Sequence, residues 1–120
     1  MKVLIVDDEE MAIKLLEHEL TNAGYDVISS TDGREALEIL KNDEPGLVIS
    51  DIMMPFMSGL ELLEVVKSDH KKTPVILISA LDDVEVIQTA IGMGADDFVI
   101  KPVNMHELIL RITKVLANNS

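Results

Sequence analysis

Four short apolar runs in this chain each end on a residue that can do chemistry. Asp7-Asp8 follow Val3-Leu4-Ile5-Val6, Asp51 follows Leu47-Val48-Ile49-Ser50, Ser79 closes Val75-Ile76-Leu77-Ile78, and Lys101 follows Phe98-Val99-Ile100. Apolar runs of this length read as buried strands. If the strands are parallel, their carboxyl ends share one edge, and open α/β sheets bind ligands in the crevice outside that edge. Three carboxylates held about 4–5 Å apart repel by roughly 3–4 kcal/mol per pair at an effective dielectric of about 20, so such a cluster takes up protons or binds a cation. Hard oxygen donors with no His or Cys among them favour Mg²⁺, with Mn²⁺ as a substitute. Asp51 is the candidate nucleophile, since a carboxylate can attack phosphorus to give an acyl phosphate. That transfer needs positioning and charge neutralisation more than acid–base help. Lys101 would face one side of the phosphoryl group and the metal the other, while the Ser79 hydroxyl could donate to a phosphoryl oxygen. Pro102 could fix a tight turn that aims the ammonium inward, and a cis Lys101–Pro102 peptide would do this.

Apolar runs alternate with amphipathic segments along the whole chain, which reads as βα repeated five times. Strands are predicted at residues 2–6, 25–29, 47–50, 75–79 and 98–100. Helices are predicted at residues 9–23, 33–42, 59–68, 83–93 and 104–117, with Gly24 stopping the first and Ser58 capping the third. The first, third and fourth strands are apolar almost throughout, so helices should cover both faces. The second and fifth are weaker and suit the edges. Right-handed crossovers then give an α/β, flavodoxin-like, doubly wound five-stranded parallel sheet of order 2-1-3-4-5 with five helices.

The 120 residues fit one domain, residues 1–120, able to bury roughly two-thirds of its unfolded surface. Hydrophobic residues make up 48% and aromatics only 2%, so the core is aliphatic and Met-filled. A net charge of −12 argues against direct nucleic-acid or anionic-membrane partners. With no cysteine, disulfides and thiolate chemistry are excluded. No apolar run approaches the ~20 residues that span a bilayer, and Asp7-Asp8-Glu9-Glu10 cannot follow a signal peptide's charged start. The expected location is cytoplasmic.

Leu4-Ile5-Val6-Asp7-Asp8-Glu9, Asp51-Ile52-Met53-Met54-Pro55, Ser58-Gly59-Leu60-Glu61-Leu62, Pro74-Val75-Ile76-Leu77-Ile78-Ser79-Ala80 and Gly94-Ala95-Asp96-Asp97-Phe98 with Lys101-Pro102 resemble, in this order, the receiver domain of bacterial two-component response regulators. The likeness runs over the whole chain and is of the chemotaxis-regulator kind. It implies a phosphorylation-activated signalling switch, not an enzyme beyond its own phosphorylation and slow dephosphorylation. Asp51 would be the phosphoacceptor. Asp8 would bind Mg²⁺ directly, Asp7 through water, and the Met53 main-chain carbonyl would be a further ligand. Lys101 would pair with the phosphoryl group, Ser79 would be the switch hydroxyl and Phe98 the switch aromatic, rotating inward when Asp51 is phosphorylated. A histidine kinase or histidine phosphotransfer protein would donate the phosphoryl group. A downstream output protein or an attached effector domain would read the result. Four residues depart from the common pattern: Phe98 stands where many relatives carry Tyr, Phe56 and Ser58 where Gly and Asp are frequent, and Val103 where Phe is frequent.

Met11, Leu15 and His18 form a stripe on the first helix near the crevice, a candidate docking patch for the helices of the phosphodonor; Phe56 would extend it. Val86, Met93, Ile109 and Leu110, with Asp96, Asp97 and Arg111 nearby, suggest that the fourth helix, fifth strand and fifth helix form an output face or a phosphorylation-dependent dimer interface. Met53 and Leu81, both apolar, lie at the crevice rim and predict slow loss of the phosphoryl group. Two other functions compete. A haloacid-dehalogenase-like phosphohydrolase would want Asp-x-Asp after the first strand. A flavodoxin-like FMN carrier would want a Ser/Thr/Gly-rich loop there, and Asp7-Asp8-Glu9-Glu10 would repel its phosphate.

Overall fold

The periodicities fold as read. In a computed structural model, which describes residues 1–80 and 82–119, the elements run β1 (Lys2–Val6), α1 (Glu10–Asn22), β2 (Asp26–Ser30), α2 (Gly33–Asn42), β3 (Leu47–Asp51), α3 (Gly59–Asp69), β4 (Val75–Ser79), α4 (Val84–Gly92), β5 (Asp97–Ile100) and α5 (Met105–Asn118). One parallel sheet has the order β2-β1-β3-β4-β5. Every residue of β3 and β4 is buried, which is why those runs carry no alternation. Leu4, Val6, Val48, Leu77 and Phe98 face the layer of α2, α3 and α4. Val3, Ile5, Ile49, Ile76 and Val99 face α1 and α5.

Boundaries move where caps take residues from helices. Glu9 and Ala23 flank α1, Asp83 and Met93 flank α4, and Asn104 precedes α5. Strand β2 sits one residue later than its composition suggests. The Tyr25 N–H donates to the Leu20 carbonyl at 3.0 Å, closing the end of α1 around Gly24 at φ 96°. Tyr25 therefore belongs to the helix stop, and Ser30 joins the ladder opposite Val6.

The caps also anchor the loops at the carboxyl edge. Asp32 accepts from the Glu35 N–H at 2.9 Å. Ser58 and Glu61 form the reciprocal capping box at the start of α3. Gly59 is required by close approach: a Cβ there would overlap the Asp51 carbonyl oxygen and the Ile52 Cα, both backbone atoms. The first turn of α3 thus lies against the end of β3, with the Gly59 N–H donating to the Ile52 carbonyl at 2.8 Å.

Candidate functional site

Parallel pairing brings the ends of β1, β3, β4 and β5 together. Val6 lies opposite Ser50, Asp51 opposite Ile78, and Ser79 opposite Ile100. Asp51 is the last residue of β3 and is only 6% exposed. Asp7 is buried beside it, while Asp8 is open to solvent. One carboxylate oxygen from each of Asp7, Asp8 and Asp51 lies within 4.8 Å of the others. The Lys101 Nζ stands 3.3 Å from Asp51 Oδ2 and 3.7 Å from Asp7 Oδ2. Its backbone is held by the Lys101 N–H donating to the Ser79 carbonyl at 2.8 Å, and the Lys101–Pro102 peptide is cis. Ser79 is fully buried at the end of β4. The structure thus brings Asp7, Asp8, Asp51, Ser79 and Lys101 to one edge.

The charges are unbalanced. Three carboxylates face one ammonium. Burial pushes the Asp7 carboxyl above its ordinary value, and Asp51 and Asp8 add to the push; the Glu9 N–H, donating at 2.9 Å, and Lys101 oppose it. For Lys101, burial alone would lower the pKa, but Asp51 and Asp7 outweigh burial and raise it. All donors are hard oxygens, no His or Cys joins them, and the net charge is negative, so the set fits a small divalent cation.

A stability prediction follows from Asp7. Its folded pKa lies above the ordinary 3.8, so the folded state binds that proton more tightly than the unfolded chain. The contribution is fully present below the unfolded pKa, is lost as pH rises through the folded pKa, and stays lost at neutral pH. Asp7→Asn should therefore melt higher than the parent at pH 7 in EDTA, with the gap closing in acid. Melts that keep the same gap from pH 3 to pH 7 would contradict this.

Other sequence candidates are placed differently. Met11 and Leu15 are 76% and 52% exposed. They line a groove of about 830 Å³ with His18, Val103 and Met105 that opens beside Asp7 and Lys101. Phe56 does not extend this groove. Its loop leads into α3, which covers the opposite face, and its ring stacks on Arg34 of α2, with Cζ 3.9 Å from the centroid. Of the apolar residues assigned to an α4–β5–α5 face, Val86, Met93 and Ile109 pack partly into the two core layers, and Leu110 is open. Asp96 and Asp97 are paired within the chain, to Lys67 at 2.8 Å and Arg111 at 2.9 Å. Ile91 and Ile100 are exposed instead. Ile100 ends the apolar run of β5, whose Phe98 and Val99 are buried, so its exposure leaves no mark on the sequence pattern. Phe98 is 8% exposed and packs in the α2–α3–α4 layer, so its ring lies inside. Phe lacks a phenolic hydroxyl to keep in water, and the inward position carries no polar desolvation cost. Met53 is exposed at the rim; Leu81 lies outside the described residues.

A doubly wound sheet of this order, with an acidic cluster and a lysine at its carboxyl edge, defines a flavodoxin-like receiver fold. The chain belongs to the response regulator receiver domain family, which it matches over residues 3–113. It is 42% identical over 115 residues to the "Probable transcriptional regulator ycf27" of Porphyridium aerugineum, covering 96% of this chain and 48% of that protein. It is similar to the receiver domain of the Francisella response regulator 1452, with TM-score 0.92, 31% identity and coverage of 99% and 98%. The chemotaxis protein CheY4 of Vibrio cholerae gives TM-score 0.89 and 34% identity over 95% of this chain and 97% of that one. The chain spans about half the length of the curated relatives it matches, 48% and 45% of the first two. It is thus a regulatory receiver domain, a phosphorylation-dependent signalling switch of two-component systems. No helix among the described residues is long and apolar enough to cross a membrane.

Proposed function

We propose that this domain, spanning residues 1–120, accepts a phosphoryl group on Asp51 from a phosphohistidine of a sensor kinase or phosphotransfer protein, in a Mg²⁺-dependent reaction in the cytoplasm. The observation that carries the reading is the Lys101 Nζ at 3.3 Å from Asp51, beside two further carboxylates within 4.8 Å. An Asp51 oxygen attacks phosphorus, the P–O bond forms and the P–N bond to the donor imidazole breaks. Asp8 and Asp51, with the Met53 carbonyl and with Asp7 through water, would hold Mg²⁺, which would supply charge neutralisation to the phosphoryl oxygens. Lys101 balances the charge on the other side, and the Ser79 hydroxyl donates to a phosphoryl oxygen. Acetyl phosphate with Mg²⁺, followed by mass spectrometry of the digest, tests this: one phosphoryl group on the peptide holding Asp51 is expected, and none in EDTA. Label on another residue, or label independent of Mg²⁺, refutes it.

The groove beside α1 is the docking surface for the donor's helices in this reading. It is apolar, it opens next to Asp7 and Lys101, and Met11 and Leu15 stand out from it. A small-molecule donor bypasses it. The Met11→Ala, Leu15→Ala double variant should lose about tenfold or more in phosphotransfer from a phosphohistidine protein, as a truncated interface anchor does, while keeping its rate with acetyl phosphate. Equal losses with both donors would place the defect in the crevice instead. The output passes through α4, β5 and α5 to an attached effector domain, a separate protein or a second copy, with Val84, Ile91, Ile100 and Leu110 as open apolar residues of those elements.

A further inference from the structure

Phe56 adopts φ 71°, the only non-glycine with positive φ among the described residues. For a bulky side chain this backbone is strained, and it persists only where the surroundings hold it. Burial does not hold it, because Phe56 is 72% exposed. What touches its ring is the Arg34 guanidinium, 3.9 Å from the centroid. The next residue, Met57, sits on Gly33: a Cβ at position 33 would lie 2.8 Å from the Met57 Cβ and 2.9 Å from its Cγ. The start of α2 therefore receives residues 56 and 57 at two adjoining points.

The same turn holds the other acidic loop. The Asp7 N–H donates to the Ser30 carbonyl at 3.1 Å, and the Ser30 hydroxyl donates to the Asp32 carbonyl at 2.7 Å. Asp32 in turn caps α2. The turn between β2 and α2 thus joins the loop of Asp7 and Asp8 to the loop after Asp51, while giving no carboxylate to the cluster.

We propose that the β2–α2 turn is a brace that sets the spacing of the two acidic loops, and that the Phe56–Arg34 stack is the contact through which it positions the loop after Asp51 for a divalent cation. This rests on reading the cluster as a Mg²⁺ site. Phe56 and Arg34 are positioning residues, not ligands. The backbone strain at Phe56 is retained because the stacked ring holds the loop in place.

The test compares Phe56→Gly, Arg34→Ala and Phe56→Tyr with the parent by thermal melts in EDTA and by NMR titration with MgCl₂. Glycine takes positive φ freely, so Phe56→Gly should melt a few degrees above the parent. Arg34→Ala keeps the strain, loses the stack and should melt below it. Both should bind Mg²⁺ about two- to fivefold more weakly, the range an exposed cation–π contact can transmit. Phe56→Tyr keeps the stack and should bind as the parent does. Unchanged affinity in both stack variants, or affinity that rises and falls with melting temperature, overturns the brace. A parent whose amides near Asp51 do not respond to Mg²⁺ overturns the reading of the cluster, and the brace with it.

Discussion

Asp51→Asn loses Mg²⁺-dependent phosphorylation to the background of the assay and remains folded: this is the largest change in activity expected for the protein. The amide is nearly isosteric with the carboxylate, so the end of β3 and its contact with Gly59 are preserved. It carries no charge and is a poor nucleophile, so the bond to phosphorus does not form. Lys101 keeps the Asp7 carboxylate at 3.7 Å as a partner. The cluster drops from three negative charges to two, and Asp7 loses a neighbour that raises its pKa. Melting in EDTA should therefore be at or above that of the parent, which separates loss of chemistry from loss of fold. Asp8→Asn retains the nucleophile and should need more Mg²⁺ for the same labelling rate. The measurement is incorporation from acetyl phosphate over time at several Mg²⁺ concentrations. Parent-like labelling of the Asn variant would sink the assignment of Asp51.

What was legible in the sequence was whatever a local pattern determines. The unbroken apolar runs of β3 and β4 required cover on both faces and the two weaker strands suited the edges, while the order of the inner strands came from right-handed crossovers and from the resemblance to receiver domains. That order brings Asp7, Asp8, Asp51, Ser79 and Lys101 to one edge, so the place of the candidate site was legible along with the fold. Boundaries were less so, because caps and helix stops depend on individual hydrogen bonds, such as that of Tyr25 to Leu20, which moves β2 by one residue. Pairings across distant segments left no trace in composition. Nothing in the residues around Phe56 points to Arg34, which lies on another helix. The surface of α4 and α5 shows the same dependence on distant packing. Val86, Met93 and Ile109 looked surplus to one helical stripe, yet each sits at the margin of a core layer.

Phe98→Ala should be the largest loss of stability among these variants. The ring is 8% exposed and shares a core layer with Leu77, Ala90 and Ala95. Truncating a buried Phe to Ala costs about 3–5 kcal/mol, the transfer energy of the ring plus the cavity it leaves. In a chain of this size that lowers the melting temperature by roughly 10 °C or more. A ring turned to solvent, as in the expectation that Phe98 moves inward only on phosphorylation, would cost about 0.5 kcal/mol or less when truncated. The two placements therefore differ by several kcal/mol in protein that has never met a phosphodonor. We expect the larger loss, with Phe98→Leu intermediate because it refills part of the cavity. An inward ring also changes how a signal would cross the domain. Rotation of Phe98 from water to core is then no longer the step that phosphorylated Asp51 controls, and the shift toward the output face would rest on Ser79 and on α4, which buries only Ala90. A chemical denaturation series on the parent, Phe98→Ala and Phe98→Leu decides it, and a Phe98→Ala variant within about 0.5 kcal/mol of the parent would put the ring outside.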